Sequence, residues 1–371
     1  MYLSLLSKNK FFKKMKKLFF FLLCLILFIF FLEFLSRILF KIEFNKYDRR
    51  VMLFSQNKTF INLNEFFLYK KNTNFISNTF YVDKNYKNLN SEYRYNVTSN
   101  NAGLIQKRNI QKKLDSIFIL GASESKGQGA IPWFYQLEKN FRHPYQLVNI
   151  GMIGTGPAQQ KKLLDFLIEE YDLNVKKIIL IFADGYFIRS LWNFNTQQLE
   201  CLDNYKLCLG TEGIYGYKFE EKKEKEFAQK IIDIRVKSEF SLNPIIDSYK
   251  KEKYFQAFKE ILKLSYLIKK IYLVKNIYKH GSARKINEKA ILDLNKIYKD
   301  RLYIVQMRTK NQQVINSVDV KYKKFLEDNN LIKNYIFCNI PDLGFHLNDN
   351  HANELGYSYL RKCVEVIINK F

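Results

Sequence analysis

The chain has 371 residues, of which 47% are hydrophobic, and a formal charge of +25 from 61 Lys and Arg against 36 Asp and Glu. That apolar content is ample for a packed core, which excludes a disordered polyelectrolyte, and the length admits one large or two modest domains. The charge would suit nucleic acid or an anionic membrane surface, but the lysines are spread along the chain and no aromatic-basic module stands out, so a solvated basic surface and no nucleic-acid partner are expected.

Residues 1–17 form a basic tail with Lys8, Lys10, Lys13, Lys14, Lys16 and Lys17, and Leu18 to Leu32 follow as an unbroken apolar run. Continued through Glu33 and Arg37, which can pair at i, i+4, the run reaches Phe40, roughly the 20 residues that span a bilayer. A cleaved signal peptide is the alternative, but the bulky Ile38, Leu39, Phe40 and Lys41 give no small-x-small cleavage site. Residues 18–40 therefore read as an uncleaved transmembrane anchor. Lysines before the helix place the amino terminus in the cytoplasm and the remainder outside, whether Met1 or Met15 starts the chain. Residues 41–112 carry short alternating pieces, such as Phe80, Tyr81, Val82 and Tyr93, Tyr95, Val97, and read as short strands or irregular structure packed on the following domain.

The domain proper, 113–371, opens on Ser116-Ile-Phe-Ile-Leu-Gly-Ala-Ser-Glu-Ser-Lys-Gly-Gln-Gly129. A buried strand ends abruptly in small residues and leaves Ser123 at its carboxyl end, where open α/β sheets bind ligands. Spacing excludes two glycine-loop motifs. Lys126 precedes Gly127, where a P-loop needs Gly-Lys-Ser/Thr, and Ser125 occupies the second glycine of a nucleophile elbow. A helix over 133–140 and a strand over 146–150 follow, then the turn Asn149 to Gly156 and a helix over 157–171. The third strand, 177–182, is almost wholly apolar, as a central parallel strand should be, and ends in Ala183-Asp184-Gly185-Tyr186.

Residues 191–216 read as an irregular loop beside the site, and a helical insertion is expected over about 217–300. Its charged run, Glu220 to Glu226, gives way to an apolar stripe with Phe255, Phe258, Ile261, Leu262, Tyr266 and Leu267. A fourth strand over 303–307, a helix over 314–329 and a fifth strand over 335–339 lead to Pro341 to Gly356 and a terminal helix. Two of the four histidines, His346 and His351, lie within this segment at the end of a strand. The five cysteines include no Cys-x-x-Cys pair, so no metal site is expected. Cys201 and Cys208 either staple a loop or remain free thiols.

Together these blocks resemble the SGNH/GDSL hydrolases, in a membrane-anchored bacterial branch. Gly121, Ser123 and Gly127 are similar to the first block, with Ala122 where the family usually has Asp. Asn100 to Leu104 resembles the Asn-x-x-Gly-(Phe/Leu) lead-in of anchored members. Asn149 to Gly154 resembles the second block, and Asp349 to Gly356 the last. The resemblance implies an α/β fold, a flavodoxin-like three-layer α/β/α sandwich around a parallel five-stranded sheet, preceded by one transmembrane helix. It also assigns roles. Ser123 is the nucleophile, His351 the general base and Asp349 its orienting carboxylate, with Asn348 as the alternative at the other family spacing and His346 as the rival base.

The backbone of Ser123 and Gly154 supplies the oxyanion hole, and Gly185 falls where the family has its third donor, an asparagine. There this sequence departs from the pattern, Asp184 beside it would repel an oxyanion, and Tyr186, Arg189 or Asn193 is left to supply a replacement. The activity implied is a cofactor-free serine esterase acting outside the cytoplasm on acyl, most simply acetyl, esters of envelope glycans or lipids. Two alternatives stay open: an O-acyltransferase of a surface glycan working with a membrane acyltransferase partner, and a non-catalytic domain that binds a glycan or partner.

Overall fold

The structure is a computed structural model that describes residues 2–39, 49–55, 59–63, 65–83, 88–183, 185–194, 196–203, 214–216, 221–240, 266–310 and 320–369. The chain divides into two compact units, 1–44 with 236–278 and 45–235 with 279–371. The first unit contains helix α1 (Tyr2–Leu39), whose segment Met15–Leu35 has a mean hydropathy of 3.0 and is long and apolar enough to cross a membrane. Its apolar side chains are exposed in the fold, and a helix apolar all round suits a core or a membrane.

The second unit begins with strands β1 (Arg50–Phe54), β2 (Phe60–Asn62), β3 (Phe67–Tyr69), β4 (Thr73–Val82) and β5 (Leu89–Ser99). β2 and β3 form a two-stranded ribbon, and β4 pairs antiparallel with both β1 and β5. The alternation along β5 sends Tyr93, Tyr95 and Val97 inward, the period-2 signature of a strand with one wet face.

The chain then alternates strand and helix: β6 (Asp115–Gly121), α2 (Ser123–Lys126), α3 (Phe134–Asn140), β7 (Gln146–Gly151), α4 (Pro157–Tyr171) and β8 (Asn174–Phe182). After α5 (Thr196–Asp203), β9 (Ile214–Gly216), α6 (Glu221–Phe240) and α7 (Tyr266–Tyr298) come β10 (Leu302–Met307), α8 (Val320–Asp328), β11 (Tyr335–Cys338) and α9 (Glu354–Ile368). β6, β7, β8, β10 and β11 make one all-parallel sheet in the order β11-β10-β8-β6-β7. Numbered within that sheet the order is 2-1-3-4-5, the flavodoxin-like doubly wound arrangement.

Both faces are covered, which is why the strands read as continuous apolar runs. Phe118, Leu120, Ile178 and Leu180 share a core with Leu163 and Leu167 of α4, Leu294 of α7 and Tyr322 of α8. Ile117, Ile119, Ile179 and Ile181 pack instead with Phe134 of α3 and with Tyr357, Leu360 and Val364 of α9. Met52, Phe75, Tyr93 and Tyr95 of the amino-terminal strands belong to the first of these cores. Residues 45–112 are therefore part of the same unit as the parallel sheet.

Two differences from the sequence reading have physical causes. The expected loop 191–216 contains α5 and β9, because β9 adds in parallel to the edge of β1, at Met52, Leu53 and Phe54, where unpaired backbone groups would otherwise be left. α8 covers Val320–Asp328 of the helix expected over 314–329, and residues 311–319, Cys208, Phe255, Phe258, Ile261 and Leu262 lie outside the described residues. A disulfide joins Cys338 to Cys363, with Cα atoms 6.0 Å apart. Sequence reasoning weighed only Cys201 and Cys208, since a separation of 25 positions between Cys338 and Cys363 gives no local hint that α9 folds back over β11.

Candidate functional site

The serine turn is shaped by close backbone approach. A Cβ on Gly121 would lie 1.8 Å from Ser125 Oγ, and one on Gly151 would lie 2.3 Å from the Lys126 nitrogen, so only glycine lets α2 rest on the ends of β6 and β7. Gly127, at φ +83°, ends the turn in the left-handed region. The buried Asn149 amide donates to Ser125 O and Ile105 O, both at 3.1 Å. Asn100 Oδ1 in turn accepts from the nitrogens of Ala102 and Leu104, each at 3.0 Å. Asn149 thus ties the serine turn to the segment at Ile105, while Asn100 orders the turn just before it.

Ser123 is buried, and its hydroxyl donates to Glu124 Oε2 at 3.0 Å. Sequence reasoning passed over Glu124, although its place directly after the serine was the available signal. One turn on, Lys126 has no exposed surface, and its Nζ has no hydrogen-bond partner among the described residues and sits 5.4 Å from the ring centres of both Phe54 and Tyr69. Burial pushes this amine down to about 7, because a charge in an apolar site loses its hydration.

The histidine loop follows β11. Phe345 bridges Ala352, and His346 N donates to His351 O at 3.1 Å, closing a tight loop. Asn353 then caps α9 by accepting from Gly356 N at 3.1 Å. Within the loop His351 Nδ1 is 2.8 Å from Asp349 Oδ1, although its N–H is not directed at that oxygen. Asp349 is buried, and its other oxygen accepts from Tyr93 Oη at 2.9 Å.

The two rivals have other partners. His346 Nε2 contacts Gly129 O at 2.7 Å, its ring packs 4.8 Å from Tyr93, and burial lowers its pKa. Asn348 is held by Glu92, with its N and Nδ2 donating to Oε1 at 2.7 Å and Oε2 at 2.8 Å. Of the two histidines and two candidate orienters, His351 and Asp349 are the pair in contact.

A chain of hydrogen bonds joins the two halves. Gln128 N donates to Ser123 O at 2.9 Å, and Gln128 Nε2 donates to Tyr93 Oη at 3.1 Å, which donates onward to Asp349. Tyr357 Oη closes on Gln128 O at 2.5 Å. Burial raises the pKa of Tyr93 and Tyr81, the Asp349 charge raises both further, and Arg50 opposes it. Both phenols are thereby kept neutral, the form in which Tyr93 can donate. Sequence patterning marked Tyr93 only as an inward strand residue.

Gly154 has φ +70°, and Trp192 covers it, donating from Nε1 to Gly154 O at 3.1 Å. Gly185, at φ +91°, stands at the end of β8 with open space where a side chain would point, while Asp184 lies outside the described residues. The three suggested substitutes have definite positions. Tyr186 is buried beneath the Arg189 guanidinium, 3.8 Å from its ring centre, Arg189 donates to Thr155 O at 3.1 Å, and Asn193 donates to Leu63 O at 2.8 Å. Asn287 of α7 fixes this region by donating to Phe187 O and Arg189 O, both at 2.8 Å.

Among the described residues no group of three or more His, Cys, Asp or Glu side chains is placed to hold a metal ion. A cavity of about 340 Å³ lined by Arg108, Glu138, Tyr145 and Gln146 opens at the amino end of β7, the opposite edge of the sheet from Ser123. Set against protein-family models and curated proteins, the chain matches none.

Proposed function

We propose that the chain is a serine ester hydrolase of SGNH type. The observation that carries this reading is the contact of His351 with a buried Asp349, whose second oxygen is tied through Tyr93 and Gln128 to the Ser123 turn. His351 takes the Ser123 proton as the hydroxyl attacks an ester carbonyl, and Asp349 fixes the imidazole and stabilises its charged form. The Ser123 and Gly154 N–H groups receive the oxyanion. For attack, the Ser123 hydroxyl leaves Glu124 and turns to His351. Catalytic hydrogen bonds of this kind commonly tighten only with substrate bound.

On this reading α1 anchors the protein with its amino terminus in the cytoplasm, and the substrate is an acyl ester of an envelope glycan or lipid. The test is p-nitrophenyl acetate turnover by the full-length protein in detergent. Ser123→Ala and His351→Ala should each lose on the order of 1000-fold or more, while Ser125→Ala, whose hydroxyl lies within the turn, keeps turnover if it folds. A folded wild type that turns over no faster than Ser123→Ala would sink the proposal.

One observation favours a second reading, a non-catalytic glycan- or partner-binding domain: the candidate nucleophile is buried and its hydroxyl is engaged by Glu124. That reading predicts an inert wild type and unchanged ligand binding in Ser123→Ala.

A further inference from the structure

Outside α1, Leu343 and Leu347 are the most exposed large hydrophobic side chains among the described residues, at 83% and 84%. Ile131 is 55% exposed, two residues beyond the Gly129 carbonyl that His346 contacts. All three belong to the segments that meet at His346, on the edge of the sheet that carries Ser123. The leucines are not on a loose tip. Lys310 Nζ donates to His346 O at 2.6 Å and Leu347 O at 2.7 Å, Arg308 pairs with Asp342 at 2.9 Å, and Glu92 grips Asn348. A loop this firmly held, with its leucines directed into solvent, has the form of a contact surface.

One fact on the same chain points to a lipid surface as the occupant. The same chain contains an apolar helix long enough to cross a bilayer, which would hold the domain within reach of its surface. We infer that Leu343, Leu347 and Ile131 seat in the interfacial zone of the membrane, so that the site takes an acyl ester borne on a membrane lipid or lipid-linked glycan. The substrate part of this inference rests on the esterase reading; the membrane contact does not.

The test uses full-length protein reconstituted in phosphatidylcholine–phosphatidylglycerol vesicles containing brominated phosphatidylcholine. Leu347→Trp should show fluorescence quenching beyond the wild-type background of Trp133 and Trp192. Ile297→Trp, exposed just before β10 at the amino edge of the sheet, should show none. Equal quenching at the two positions, or none at Leu347→Trp, overturns the inference.

In parallel, the double variant Leu343→Asp/Leu347→Asp should keep p-nitrophenyl acetate turnover within about twofold and lose tenfold or more on a long-chain acyl ester presented in the same vesicles. Equal loss on both esters, or none on the vesicle-borne one, overturns the substrate assignment. A wild type inert toward both esters removes the esterase reading and with it the substrate assignment, while the quenching result still decides the membrane contact.

Discussion

The two halves of the site are held by different means. The serine turn rests on backbone sterics within its own β6-α2-β7 unit, where Gly121 and Gly151 let α2 lie directly on the strand ends. The histidine loop is held by side chains that come from far away in sequence. Tyr93 reaches Asp349 and Glu92 reaches Asn348, each across 256 positions. A serine turn can thus be specified locally, whereas the loop of the proposed base depends on the amino-terminal strands being folded against it. The amino-terminal region is in that sense part of the site.

The largest effects should come from breaking the serine half. Gly151→Ala drives a Cβ into the Lys126 backbone, and should cost on the order of 4 kcal/mol or abolish folding, read from denaturant melts. Lys126 gives a second, pH-resolved probe. Its folded pKa of about 7 lies below its unfolded value near 10.4, so the folded state binds fewer protons across that window. Stability should therefore rise by roughly 1.4 kcal/mol per pH unit between about pH 7 and 10 and be flat in this term below 7. Lys126→Met should abolish that slope and be more stable than wild type at pH 7. A wild-type slope retained in the variant would place the titration elsewhere.

The histidine half should respond more gently. Cys363→Ser opens the link between β11 and α9, and should lower stability by about 3 kcal/mol in melts compared with and without reductant. Tyr93→Phe removes one donor to a buried carboxylate, worth about 1.5–3 kcal/mol. If the esterase reading holds, it should reduce kcat by roughly 10- to 100-fold with KM little changed. A Tyr93→Phe protein with full kcat would break the proposed dependence of the base on the amino-terminal strands.

What could be read from the sequence follows the same division. The parallel sheet was legible because strands buried on both faces appear as apolar runs, and the helix at Pro157–Tyr171 was placed to the residue. The glycine turns were legible because a close approach leaves only one residue type possible. The Asp349–His351 pair was expected from the resemblance of Asp-x-His to the last block of the family, with His346 as the rival base, and the fold puts His351 against Asp349 and His346 against Gly129 O. Tyr93, Gln128 and the Cys338–Cys363 bridge were missed, since each acts across tertiary distance and none has a local pattern. Glu124 was missed differently: its position was plain, but a carboxyl buried against a serine is not what a glycine-rich turn suggests.

The central claim, that Ser123 is a nucleophile served by His351, is tested most directly by treating the full-length protein in detergent with a fluorophosphonate and mapping the adduct by mass spectrometry. The account predicts a single adduct on Ser123, lost in His351→Ala and strongly reduced in Asp349→Asn. A folded wild type that stays unlabelled, or an adduct on another residue, would contradict it.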